Sequence, residues 1–127
     1  MPQISVDEAR EYFKHPSQQL YGMTEWDIPE DVEYWAVGPI CGVFHQGPWE
    51  GVWMSHHAVK PERWGLLDTP AVEGLNEFWN AKEPELIMGW TPKHNRLAVA
   101  FARRIGFKRL GEFPTSLGDV VMQGWSK

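Results

Sequence analysis

Cysteine is nearly absent. Cys41 is the one thiol in 127 residues, so no disulfide can close within the chain, and the small secreted scaffolds held by such bonds are excluded. Long apolar runs are missing too: none approaches the roughly 18 residues that a membrane helix requires. The opening stretch from Met1 to Arg10 lacks the basic-then-apolar order of a secretory signal. These absences predict a cytoplasmic protein with no membrane partner. Positive charge is in deficit, with 12 Lys and Arg against 17 Asp and Glu and a net charge of −5. Binding along a phosphate backbone needs the reverse surface, so no nucleic-acid partner is expected, and an aromatic-rich binder of single strands is disfavoured on the same ground. No fixed-period repeat runs through the chain. Its length suffices for one buried core and not for two, which predicts a single domain over residues 1–127.

What the chain has in surplus is tryptophan, eight residues scattered from Trp26 to Trp125. Each offers a large apolar area and one N–H donor. The reading is a small core padded with aromatics, any exposed tryptophans being offered to a protein partner or a second copy of the chain. Basic residues cluster only locally, at Lys93, His94 and Arg96 and again at Arg103, Arg104, Lys108 and Arg109. On an amphipathic helix that pattern predicts a solvated face.

Ser5 and Glu8 form a capping box and predict a first helix with Val6, Ala9 and Phe13 on one face, stopping near His15 because Pro16 disfavours helical geometry before it. Residues 16–31 carry no periodicity and read as an ordered loop. Aromatic and β-branched residues then predict strands over Glu33 to Val37, Ile40 to His45 and Val52 to Val59, the last two forming an antiparallel hairpin. Asp68 or Thr69 before Pro70 starts a helix that runs to about Asn80 and buries Ala71, Val72, Leu75, Phe78 and Trp79. The apolar run Leu86, Ile87, Met88 predicts a strand covered on both faces, parallel to the preceding one by a right-handed crossover. A further helix spans Asn95 to Ile105, with Leu97, Ala98, Phe101 and Ile105 inward and Gly106 ending it. Strands over Phe107 to Glu112 and Asp119 to Gln123 close an α/β (α+β) fold, a mixed central sheet flanked by helices.

Two adjacent histidines, His56 and His57, sit on the strand that precedes the crossover. Successive strand residues point to opposite faces, so at most one lines any cleft there. Symmetrical pairing about Trp49 would set Cys41 opposite His57, with His45 on the face of Cys41. One cysteine lacks the compact spacing of a zinc motif, so no metal site is expected and Cys41 reads as a buried free thiol.

The order of elements, together with three local motifs, resembles the GNAT superfamily of acetyl-CoA-dependent acyltransferases. The strand end Ala58, Val59, Lys60, Pro61 is similar to that family's Val-x-Pro strand end. Arg63, Trp64 and Gly65 lie where the family places its pyrophosphate loop. Asn95, Ala98, Phe101, Ile105, Gly106 and Phe107 resemble its asparagine-to-Gly-Phe helix, with Gly111 just beyond. The resemblance covers about the last three-fifths of the chain. It implies acetyl-CoA as cofactor, contacted by Val59, Arg63, Trp64, Gly65 and Asn95, and His56 or His57 as the base that deprotonates an acyl acceptor of unspecified identity. The chain departs from the family in two places. Leu67 and Thr69 stand at the next two glycine positions of the loop, with Asp68 between them, and Ala102 stands where the family often has an acidic tyrosine.

Two functions remain open. One is an N-acetyltransferase. The other is a non-catalytic assembly or virion module on the same fold, since the run from ISVDEAR through VKPERWG to DVVMQGWSK resembles small GNAT-like proteins of tailed bacteriophages.

Overall fold

Aromatic and β-branched residues dominate the stretches that form strands, and in the computed structural model they build one seven-stranded sheet. The structure describes residues 3–14, 24–59, 68–116 and 118–127, without the side chains of residues 58 and 59. In chain order the elements are β1 (Gln3–Ile4), α1 (Val6–Arg10), β2 (Glu33–Val37), β3 (Ile40–Gln46), β4 (Val52–Val59), α2 (Asp68–Lys82), β5 (Leu86–Pro92), α3 (Arg96–Arg104), β6 (Lys108–Thr115) and β7 (Gly118–Trp125). The strands lie in the order β1-β2-β3-β4-β5-β7-β6. All neighbours are antiparallel except β4 and β5, which the crossover through α2 makes parallel.

The two faces of the sheet carry separate cores. On one, Phe78 of α2 is fully buried, stacked on Phe44 with ring centroids 3.8 Å apart and met edge-on by Trp35 at 5.4 Å and Trp53 at 5.3 Å. Ile87, Phe101, Ile105, Phe107 and Trp125 continue this cluster beneath α3. The Trp125 indole donates to the Ile105 carbonyl at 3.0 Å, which satisfies one of the acceptors a helix end leaves open. On the opposite face α1 contributes Ala9, followed by Tyr12, to a smaller cluster with Ile28, Tyr34, Cys41 and Val43. The Tyr12 hydroxyl donates to Gly38 O at 2.8 Å and anchors this layer to the β2–β3 turn.

The capping box is present: Glu8 N donates to Ser5 Oγ, and Ser5 N to the Glu8 carboxylate. The helix it starts ends at Arg10 and gives way to a turn carrying Tyr12 and Phe13, short of the expected His15, which lies outside the described residues. Residues 3–4 add an edge strand that two residues are too few to announce. The expected loop over 16–31 is described only from residue 24, where Thr24 N donates to Asp27 Oδ2 at 2.7 Å.

Three expectations need correction. The β3–β4 hairpin turns between Trp49 and Glu50, so Cys41 lies opposite Ala58 and Gly42 opposite His57. A one-residue slip moves a side chain to the other face, and Cys41 and His57 therefore stand on opposite sides of the sheet. Strand β5 continues past Met88 to Pro92. Leu97 is 86% exposed: the buried side of the nine-residue α3 is held by Phe101 and by Ile105 at its cap, whereas the first turn projects past the sheet.

Phe78 is the contact point of four aromatic rings, and its removal leaves a void that the rigid strands cannot close. Phe78→Ala should lower the unfolding free energy by about 3–5 kcal/mol, read from urea unfolding midpoints.

Candidate functional site

Strands β4 and β5 run parallel but pair over only three residue pairs, Val52 with Leu86, Trp53 with Ile87 and Met54 with Met88. Beyond them the strands part. Gly89 marks the last close approach, since a Cβ there would lie 3.3 Å from Ser55 O. The outer edges remain paired to the end, β4 through Val59 to Ile40 of β3 and β5 through Pro92 to Val120 of β7. The inner edges, from Ser55 on β4 and Gly89 on β5, therefore face a gap with peptide groups that no strand of the described chain engages. Buried peptide groups require partners, and an extended ligand can provide them.

The gap opens into a cleft of about 540 Å³ whose walls come chiefly from β2, β3, β4, β5, α2 and α3. Its polar side chains include Ser55, His56, His57, Thr91 and Asn95, and none of its described lining residues is Asp, Glu, Lys or Arg. His57 points to the α2 and α3 side, its ring 5.3 Å from that of Phe101. Its side chain is exposed to the cleft, and desolvation by the surrounding protein pulls its pKa below the ordinary histidine value. His56 faces the other side, between His45 at 5.9 Å and Trp90 at 5.6 Å. Burial first, then the neighbouring His45 and His57, lowers its pKa to about 4. His56 and Trp90 also border the cleft where the strands part, their rings in edge-on contact on the face opposite α2 and α3.

The sequence-predicted residues distribute as follows. His56 and His57 both reach the cleft, one from each face. Val59 ends β4 with its backbone at the gap's rim. Asn95 lines the cleft and also caps α3, accepting from Ala98 N at 3.2 Å. Arg63, Trp64 and Gly65 lie outside the described residues. Cys41 is fully buried in the α1-side core, where burial pushes its thiol pKa up to about 12 and leaves an unreactive thiol. Among the described residues no group of three or more His, Cys, Asp or Glu could hold a metal ion.

Two features escaped sequence reasoning. Trp90 stands across the gap from His56; extending the alternation of β5 past Met88 would have found it. Arg104 of α3 forms a two-bond ion pair with Asp68 at the start of α2, 3.0 Å from Nε to Oδ2 and 3.3 Å from Nη2 to Oδ1. The Arg104 guanidinium neutralises the acid that the sequence sets beside the helix start. Elsewhere Lys93 and Arg109 both pair with Glu112, as befits a solvated face.

The lowered pKa of His56 links folding to pH. The unfolded chain, with an ordinary value of 6.5, binds the proton more readily than the folded chain at about 4, so this contribution is complete above pH 6.5 and lost as pH falls towards 4. It amounts to about 3 kcal/mol at most. Unfolding free energies measured by urea between pH 4 and 7 should rise with pH across that window. The slope should be shallower in His56→Gln, and an unchanged slope would remove His56 as its source.

No protein-family profile matches the chain, and a search of curated proteins finds no match. Solved structures do match. The aminoglycoside acetyltransferase AAC(6')-Ib, in complex with paromomycin and acetyl-CoA, superposes with a TM-score of 0.73 at 18% identity over 98% of this chain and 91% of that one. A GNAT-family acetyltransferase from Bacillus anthracis gives 0.69 at 14% identity over 94% and 87%. The ribosomal-protein-S5-alanine acetyltransferase from Vibrio fischeri gives 0.61 at 13% identity, over 76% of this chain and 64% of that one. No described helix is long and apolar enough to cross a membrane. At these identities the likeness establishes the fold: the chain has the architecture of the GNAT acetyltransferases.

Proposed function

We propose that this protein is an N-acetyltransferase that takes its acetyl group from acetyl-CoA. The observation that carries the reading is the unpaired inner edge of β4 and β5, opening into an uncharged cleft on the scaffold shared with the acetyltransferases named above. The residues present fit such a ligand. An extended amide-bearing arm can pair with the free strand edges, as an added strand would. The N-terminal end of the described helix α2 carries the positive pole of the helix dipole, which favours an anion, with Asp68 neutralised by Arg104. Val59, Arg63, Trp64, Gly65 and Asn95 are the residues assigned to hold the ligand.

When bound, acetyl-CoA supplies a thioester. The amine nitrogen forms a bond to the acetyl carbon as the carbon–sulfur bond breaks; the amine gives up a proton and the departing sulfur takes one from solvent. His57 is the proton acceptor we assign. Its ring opens into the cleft on the side of α2 and α3, and its lowered pKa keeps it unprotonated near pH 7, with a ring nitrogen available to accept a proton. His56, whose ring is held between those of His45 and Trp90 on the other face, serves as wall.

The alternative, a non-catalytic bacteriophage assembly module, drew on the tryptophan surplus. Trp35 and Trp125 are buried, Trp53 and Trp79 pack against the same core, and Trp90 lines the cleft. Most of the surplus therefore has a role within the fold, while Trp26 and Trp49 are exposed and are the residues a partner or second copy would meet. The fold does not bear on a bacteriophage origin.

Calorimetric titration with acetyl-CoA should give saturable binding with a dissociation constant below about 100 µM, and 1 mM ligand should then raise the thermal midpoint by mass action. Absence of both effects overturns the proposal. Arg63→Ala should weaken binding by about tenfold through a lost phosphate contact. His57→Gln should preserve binding and lower kcat by about 10²-fold; an undiminished kcat would return the role of base to His56 or to water.

A further inference from the structure

The cleft also restricts the acceptor, an inference that rests on the acetyltransferase reading. On the face opposite α2 and α3 the gap is bordered by His56 and Trp90, whose rings meet edge-on at 5.6 Å, and the same face of the adjoining strands carries the half-buried Met54, Met88 and Met122. These are apolar or uncharged surfaces. No described residue lining the cleft bears a formal charge at neutral pH, His56 being held neutral by its low pKa.

The molecule is nonetheless acidic overall, so its acids must lie elsewhere. Asp27 accepts from Thr24 and Glu30 pairs with Arg10, and neither lines the cleft. Residues 15–23 contain no Asp or Glu, and residues 60–67 contain only Glu62. However those segments are arranged, they cannot supply a row of carboxylates. Acceptors with several ammonium groups need one, because a charge taken from water without a partner is costly. An aromatic body, by contrast, can lie edge-on or offset against an indole and an imidazole.

We propose that the acceptor is a primary amine on an aromatic or apolar body with no second charge, bound against the paired rings of Trp90 and His56, and that polyamines and aminoglycosides are poor substrates. The single amine is the group that reacts. It enters the cleft as the free base, and transfer removes its capacity to carry charge.

The test pairs binding with turnover. Affinity for acetyl-CoA is measured first, by calorimetry, and acetyl transfer is then followed by thiol release with 2-phenylethylamine, spermidine and kanamycin. The expected result is a kcat/KM for 2-phenylethylamine about 10²-fold above the other two, the scale of discrimination that an apolar pocket reaches. Trp90→Leu should raise KM for 2-phenylethylamine about tenfold and leave the acetyl-CoA affinity within twofold. Trp90→Glu, if it retains acetyl-CoA binding, should shift the preference towards spermidine. Preference for spermidine or kanamycin in the parent protein, or acetyl-CoA binding with no transfer to 2-phenylethylamine, overturns the acceptor class and leaves cofactor binding standing. Failure to bind acetyl-CoA overturns the reading on which the class rests.

Discussion

Everything functional in this protein follows from one ladder that stops. Parallel strands β4 and β5 begin to pair and then abandon each other after Met54 and Met88. An unpaired stretch of backbone inside a protein is costly unless water or a ligand satisfies it, so such a gap persists only when the surroundings hold it open. Here they do so from outside. Strand β3 binds β4 along its whole length, and β7 binds β5 to its last residue. Within the gap, the rings of His56 and Trp90 meet on one face while His57 rests against Phe101 on the other. The opening is propped by full pairing on its flanks, which is what distinguishes a site from a frayed sheet end.

The core beneath the gap explains how a small chain maintains this geometry. Phe78 brings α2 against β2, β3 and β4 at once through Trp35, Phe44 and Trp53. On the far side of the gap, the Trp125 indole ties β7 to the end of α3. The two halves of the site, β4 with α2 and β5 with α3, thus rest on separate aromatic contacts and are joined at the top by the Arg104–Asp68 pair. That pair is half exposed, and exposed ion pairs contribute little stability. Its importance lies in local charge: without Arg104, the described start of α2 would present a bare carboxylate where the proposed reading puts an anion.

Much of this was legible in the residues because it depends on local rules. The capping box at Ser5, the helix from Pro70 onward and the cap at Asn95 are short-range chemistry, and runs of aromatic, β-branched and apolar residues placed the strands. The crossover rule then made β4 and β5 parallel. The misses share a different cause. The register of the β3–β4 hairpin depends on where a loop containing Gly47, Pro48 and Gly51 turns, and a half-residue shift in its centre moved Cys41 away from His57 and onto the other face. The exposure of Leu97 depends on where the sheet ends beneath α3. The Arg104–Asp68 pair joins residues 36 positions apart, which no periodicity reveals. Sequence could locate the histidines at the centre of the site; only pairing could assign each a face.

That assignment carries a chemical consequence on the proposed reading. Two adjacent histidines on a strand look redundant, yet the pleat gives them different neighbours and different tasks. Burial depresses both imidazoles because the enclosed site disfavours any positive charge. The same physics acts on an incoming ammonium group, which must lose its proton before the nitrogen can attack a carbonyl carbon. An uncharged cleft lowers the pKa of its substrate along with those of its own side chains, so the base has less work to do. A polycation gains nothing comparable, since its remaining charges would still need partners in the same cleft. The feature that favours deprotonation of a single amine is therefore the feature that discriminates against several.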